Sequence, residues 1–291
     1  MKTTTKSTIT VLIASGLASF VAQGGEKSYG VIPENMIVAG MSFPETEESV
    51  EFEDLLAVPI TRPGDDVLRK RLAAGIIKWT TVRGRGKEKV VVWNECGTRI
   101  KSEDVHDNAL EWADQLIRAA NSSEKIHGWR INLWGVMGTI ANESCFDRCA
   151  IGGHTRKWAY KKGFLKPKRF TWISHTKKDI LKLVNHRQWQ KEWKWVDAGA
   201  LQVLWKRIYR GPLEDMLTLN PGLDIGIQEM QKRSNNVYAY TKMKKRKHLS
   251  RIYKRSWRLW PGRPLKDARA VKYDAKITKF ARRMGASRTE I

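Results

Sequence analysis

The sequence predicts a mainly α-helical protein with a mixed N-terminal extension and a basic, tryptophan-rich segment in its middle. Two observations carry that reading. Apolar residues recur at helical spacing in stretches spread from residue 65 to residue 284, whereas strand-like runs are confined to short pieces between residues 77 and 93. Basic residues also thicken after Gly153 while acidic ones thin out. A chain of 291 residues can bury one sizeable core and still carry appendages.

At the N-terminus, Met1 to Lys6 is a short basic lead, and Ile9 to Ala22 is an apolar run of signal-peptide length, too short for a membrane span. Small residues at Ala22-Gln23-Gly24 suit cleavage after Gly24, so residues 1–24 are expected to be a signal peptide and the protein to be exported. The other reading of this run is a hydrophobic segment that packs on the body or anchors it. Outside it, nothing in the sequence is long and apolar enough to cross a bilayer.

Residues 25–100 read as the extension. Pro33, Pro44 and Pro59 and an acidic patch at 45–54 suggest an extended arm. Asp65 to Lys78 is an amphipathic helix carrying Leu68, Leu72 and Ile76, and Gly84-Arg85-Gly86 is a turn between strand-like runs at 77–82 and 89–93. The main domain is expected over 101–291. Ser102-Glu103-Asp104 supplies a cap and acidic first turn to a helix whose face is Val105, Ala109, Trp112, Ala113, Leu116 and Ile117, and Asn121-Ser122-Ser123 should stop it.

A second helix, Asn132 to Asn142, leads to Glu143-Ser144. Leu133, Val136, Ile140 and Glu143 follow at steps of three, four and three, so the glutamate shares the apolar stripe. A carboxyl delivered to that side of a helix is desolvated, which raises its pKa toward what a general acid near neutral pH requires.

Between residues 153 and 195, Trp158, Trp172, Trp189, Trp193 and Trp195 interleave with many lysines and arginines. Such rings can stack on bases or sugars, but packing onto the core, with the lysines left in water, is the expected fate of most. Beyond them come helices at 221–234 and 273–284, separated by a very basic stretch at 242–254. The 54 Lys and Arg against 30 Asp and Glu give +24, a surface that seeks nucleic acid, anionic lipid or the acidic polymers of a bacterial envelope.

The cysteines, Cys96, Cys145 and Cys149, are too few for a disulfide scaffold. Cys145 and Cys149 can bridge locally and leave Cys96 free, or all three can be reduced and buried. Cys145, Cys149 and His154 invite zinc, but no second ligand pair stands at metal spacing, so no metal or cofactor is expected.

The ordered set Glu143-Ser144, Gly199-Ala200-Leu201-Gln202, Asp224-Ile225-Gly226-Ile227 and Tyr273-Asp274-Ala275-Lys276-Ile277 resembles the lytic transglycosylases of the soluble-type and goose-type lysozyme group. The resemblance covers roughly residues 102–285 and implies a lysozyme-like catalytic domain with residues 153–195 as an insertion. This sequence departs from the family in the long interval between Glu143 and Gly199, in Ala200-Leu201 within the Gly-Leu-Met-Gln loop, and at Tyr253, where Lys254 replaces the asparagine of a Tyr-Asn motif. The aspartate or cysteine and threonine that phage-type lysozymes place after their glutamate are absent, those positions being Gly152 and Trp158.

The resemblance implies one catalytic glutamate doing two jobs. Glu143 would protonate the glycosidic oxygen between N-acetylmuramic acid and N-acetylglucosamine of peptidoglycan, then take the proton from the muramoyl 6-hydroxyl as that hydroxyl closes on C1 to leave a 1,6-anhydro sugar. Ser144, Gln202 and Tyr253 would bind substrate, with simpler roles as a helix-end cap, a loop-fixing amide and a packed tyrosine. Asp147, four residues after Glu143, could sit close enough to raise the glutamate's pKa, but a place on the solvated surface is the expected one. Hydrolysis of the same bond by a goose-type muramidase is the alternative. A second alternative is a nucleic-acid-binding protein without catalysis, against which export to the periplasm or cell envelope argues; carriage in a virion, if the gene is a phage's, also fits a wall-degrading protein. A basic surface suits anionic envelope polymers beside the glycan strands.

Overall fold

The computed structural model describes residues 63–84, 88–165, 175–193, 195–241, 255–262 and 267–291. The expected signal peptide, the arm through residue 62, Trp172, the basic stretch 242–254 and Tyr253 lie outside the described residues. Among the described residues the architecture is mainly α, with three two-stranded antiparallel ribbons.

Helix α1 (Asp65–Thr80) opens at Gly64, whose left-handed backbone (φ 91°) turns the chain into two acidic first-turn residues, Asp65 and Asp66. It runs on through Thr80, so the strand expected from Ile77 begins only at β1 (Thr81–Arg83), which pairs with β2 (Lys89–Val91). A second ribbon, β3 (Asn94–Glu95) with β4 (Thr98–Arg99), follows at once. Leu72, Ile76 and Trp93 are almost wholly buried in the same core as the later helices. Residues 65–100, expected as extension, therefore help to form that core, and residue 100 marks no boundary between separate cores.

Helix α2 (Val105–His127) packs against α1 and α8 (Leu219–Thr241). The stop expected at Asn121-Ser122-Ser123 does not occur, because all three are buried and two find partners across the packing: Asn121 donates to Asp65, and Ser123 to Gln231 of α8. A polar side chain breaks a helix when it competes for local backbone, not when another helix holds it. Gly128 (φ 74°) ends α2 instead.

Helix α3 (Leu133–Glu143) is capped by Asn132, whose side chain accepts from Gly135 N. It is buried almost throughout, because two neighbours come unusually close. A Cβ on Gly135 would lie 1.9 Å from the Trp257 ring, and one on Gly138 would lie 2.7 Å from the Ile277 carbonyl of α9 (Ala268–Met284). Trp257 belongs to a short 3-10 turn, Ser256–Leu259, and donates to Asp274 of α9 (2.9 Å), so glycines, tryptophan and aspartate lock α3 to the C-terminal helix.

Residues 153–193 carry α4 (Gly153–Lys161), α5 (Lys177–Asn185) and α6 (Arg187–Glu192). As expected for most of them, the tryptophans pack inward. Trp158 stacks on Phe164 and meets Trp189 edge-on, Trp189 stacks on Trp193, and Trp195 stands out at 39% exposure, under the Arg207 guanidinium. Ribbon β5 (Val196–Ala198) and β6 (Val203–Trp205), the short α7 (Leu213–Met216) and the long α8 complete the body. No helix among the described residues is long and apolar enough to cross a membrane.

Candidate active site

Helix α3 delivers Glu143 at its last turn, half-buried. One carboxylate oxygen, Oε1, accepts from the Tyr273 hydroxyl (2.7 Å) and from Asn142 Nδ2 (2.8 Å). The close approach at Gly138 makes the first contact possible. Tyr273 stands one turn before Ile277 on α9, and Glu143 stands a turn and a half beyond Gly138 on α3, so two helices in antiparallel contact bring the pair into register.

The chain turns sharply after Glu143. Ser144 closes the helix, with its N–H and hydroxyl both donating to Ile140 O (2.9 and 3.1 Å), which is the helix-end cap of the simpler reading. Cys145 and Phe146 then both take left-handed backbone (φ 57° and 62°). Phe146 drives into the core against Trp112, while its carbonyl accepts from Trp93 Nε1 (2.9 Å). Burial pushes the Cys145 thiol up to about 12, so it is no nucleophile at neutral pH.

Two expectations about this loop are corrected. The disulfide joins Cys96 to Cys149 and leaves Cys145 free, because the turn after Glu143 aims Cys149 at the β3–β4 ribbon. Asp147 is buried rather than solvated, its Oδ1 accepting from Cys96 N (2.9 Å) and Cys149 N (3.0 Å) on either side of the bridge. Cys96, Asp147 and Cys149 group their ligand-type atoms within 4.8 Å, but here the sulfurs are bonded to each other and the carboxylate to backbone. Next to them Glu95 is buried and pairs with Arg148 (3.2 Å). Burial carries its carboxyl up to about 7, helped by Asp147 and Glu111 and opposed by Arg148.

The β5–β6 hairpin lies against the loop that follows Glu143. Gly152 N donates to Asp197 O (2.8 Å), Gly199 N to Ala150 O (3.0 Å), and Ile151 bridges Ala198, so residues 150–152 extend the ribbon by one edge. Gly199-Ala200-Leu201-Gln202 is the hairpin turn, with Gly199 and Gln202 left-handed (φ 81° and 54°). Leu201 seats on Gly226 of α8, where a Cβ would come within 2.4 Å of its side chain. Gln202 donates from Nε2 to Ala150 O and Gly199 O (2.9 Å each), the loop-fixing arrangement. Asp224 and Gly226, expected at a helix start, lie inside α8, and Asp224 forms a buried ion pair with Arg118.

The hairpin also supplies what the sequence did not reveal, a second carboxylate. Asp197 sits between buried Val196 and Ala198 on β5, and a Cβ on Gly152 would lie 2.9 Å from its Oδ2. Burial raises the Asp197 carboxyl to about 6, the Glu143 charge pushes the same way, and His154 and Arg233 oppose both. The strand pattern, one polar residue between two apolar ones just ahead of the Gly199 turn, was the available signal. Tyr273 was visible only as one member of a motif, without a role.

The structure thus brings Glu143, Tyr273, Asn142 and Asp197 into one electrostatic neighbourhood, places Ser144 and Gln202 as local braces, and leaves Tyr253 outside the described residues. A half-buried carboxyl held by a phenol, with a second half-buried carboxyl close enough to feel its charge, is a pair of groups able to give and take protons. Comparison with protein-family models, with curated proteins and with solved structures finds no match.

Proposed function

We propose that the protein is a lytic transglycosylase of peptidoglycan, cleaving the β-1,4 bond between N-acetylmuramic acid and N-acetylglucosamine with Glu143 as acid and then base. The observation that carries this reading is the Glu143–Tyr273 contact, which fixes a carboxylate at the rim of the core where a proton donor can meet a sugar oxygen. Glu143 gives its proton to the leaving oxygen; the muramoyl 6-hydroxyl attacks C1 and returns a proton to the same carboxylate; a 1,6-anhydro end is left. These steps use no cofactor.

Asp197 favours a second reading, a muramidase. A second carboxylate near enough to feel the Glu143 charge can take a proton from water, and a pair of carboxylates is the usual glycosidase arrangement. Mass spectrometry of fragments from purified peptidoglycan separates the two: anhydro ends mean transglycosylation, reducing ends mean hydrolysis. Glu143→Gln should abolish both while the far-ultraviolet circular dichroism stays that of the parent. Normal turnover by that variant would sink both readings.

A further inference from the structure

The lobe formed by α4, α5 and α6 begins and ends beside the loop that follows Glu143, and its apolar residues join the common core. Its first residue follows Gly152 and the chain re-enters the body just ahead of Asp197, and these two are hydrogen-bonded at the lobe's base (2.8 Å). Its inner side carries the ring contacts of Trp158, Phe164, Trp189 and Trp193, of which Trp189 is fully buried and the others half-buried, with Ile180, Leu183 and Val184 of α5 in the common core.

Each helix turns a pair of like charges outward at a spacing of four residues: Lys157 and Lys161 on α4, Lys178 and Lys182 on α5, Arg187 and Lys191 on α6, all exposed. Like charges at that spacing repel and cost the helix stability, so three such pairs on three consecutive short helices work against the lobe's own folding. The acids in residues 153–193 are Asp179 and Glu192. Asp179 is engaged in the α5 capping box with Thr176, and Glu192 accepts from Trp158 and Gln188 and pairs with Lys162 (3.5 Å). Neither is paired with the outward cations of α5 and α6.

We propose that this lobe docks a phosphodiester-bearing polymer of the cell wall, a polyol phosphate, through the outward cation pairs of α4, α5 and α6. The two charges of each pair stand about 6 Å apart along their helix, a spacing of point charges suited to a repeating anion. Recognition is by charge rather than by stacking, because Trp158, Trp189 and Trp193 are engaged with Phe164 and with one another and the exposed Trp195 lies under the Arg207 guanidinium. Choosing a wall polymer over duplex nucleic acid rests on the glycan-cleaving reading: a polymer joined to the glycan and held by a lobe rooted beside Asp197 keeps its glycan strand at the cleft.

The test measures binding of the full chain to poly(glycerol phosphate) across a salt series, beside cleavage of glycan strands stripped of phosphate. The variant Lys178→Glu/Lys182→Glu/Arg187→Glu/Lys191→Glu should bind about tenfold or more weakly, with a shallower dependence of log Kd on log salt, while cutting phosphate-free glycan at the parent rate. The neutral set, with glutamine at the same four positions, carries the same test with less disturbance of the lobe. Parent-like binding by both variants overturns the proposal, as does tighter binding of duplex DNA than of poly(glycerol phosphate) at equal phosphate and salt. Polymer binding by a parent chain that cuts no glycan would sink the cleft reading alone; cleavage without polymer binding would sink the lobe's ligand alone.

Discussion

Tyr273 and Glu143, 130 residues apart in the chain, meet through a 2.7 Å hydrogen bond from phenol to carboxylate. Tyr273→Phe keeps the ring and removes the donor. A hydrogen bond to a charged group contributes about 1.5–3 kcal/mol, which corresponds to a loss of roughly 10- to 100-fold in cleavage if the bond acts in the reaction. Release of soluble fragments from purified peptidoglycan measures it, beside a melting temperature that should fall by a few degrees for the same lost bond. An unchanged rate would show that Tyr273 only decorates the helix end.

Asp197 separates the two chemistries. With its carboxyl at about 6, the base form is lost as pH falls through that value, so a hydrolytic rate should fall there and Asp197→Asn should abolish reducing ends. Under transglycosylation the asparagine variant continues to release anhydro ends. Product analysis of that one variant across pH 5–8 decides, since an acidic limb that survives the substitution cannot belong to Asp197.

Glu95 gives a stability prediction with a defined sign. Burial raises its folded-state carboxyl to about 7, so the folded protein holds a proton there that the unfolded chain has released. This contribution is fully present below the ordinary glutamate range and is lost as pH rises through about 7. Denaturant melts at pH 5 and pH 8 should differ by on the order of 3 kcal/mol from this group, and Glu95→Gln should flatten that difference. A parent whose stability rises across the same interval, with the glutamine variant tracking it, would contradict the assignment.

The Cys96–Cys149 bridge closes a loop of 53 residues that includes α2 and α3. Chain-entropy estimates for such a loop give about 4 kcal/mol. Cys96→Ser with Cys149→Ser should lower the melting temperature markedly and release the loop that follows Glu143. Cys145→Ser should do little, since that thiol donates to Ala141 O one turn back and closes no loop. Equal effects of the two changes would point to a different pairing.

Gly135→Ala is the packing test. The added methyl falls on the Trp257 ring, which Asp274 holds in place, so relief requires α3 to shift from the C-terminal helix. Overpacking of this kind costs typically about 1–3 kcal/mol, and it should also misplace Glu143 and reduce cleavage more than stability alone explains.

The helices were readable in the sequence because their apolar residues keep a 3.6-residue period, and Glu143 could be found because it continues the stripe of Leu133, Val136 and Ile140. Asn121-Ser122-Ser123 misled because the partners of Asn121 and Ser123, Asp65 and Gln231, lie far along the chain. The disulfide misled for the same reason: Cys145 and Cys149 are close in sequence, but the left-handed Cys145-Phe146 step turns one toward α3 and sends the other to β3–β4. Asp197 escaped because one aspartate on a three-residue strand gains meaning only when the strand lies beside the loop after Glu143. Local period is written in a sequence; which loop meets which is settled by packing.

Gly152 and Asp197 stand 45 residues apart and touch. Whatever the chain does between them, the two ends return to the same place, and on the way Ala159, Ile180, Leu183, Val184 and Trp189 join the common core. Trimming this excursion to a short turn would uncover that core, whereas its outward lysines and arginines can change without touching it, so the surface of the excursion is free to vary while its inner side is not.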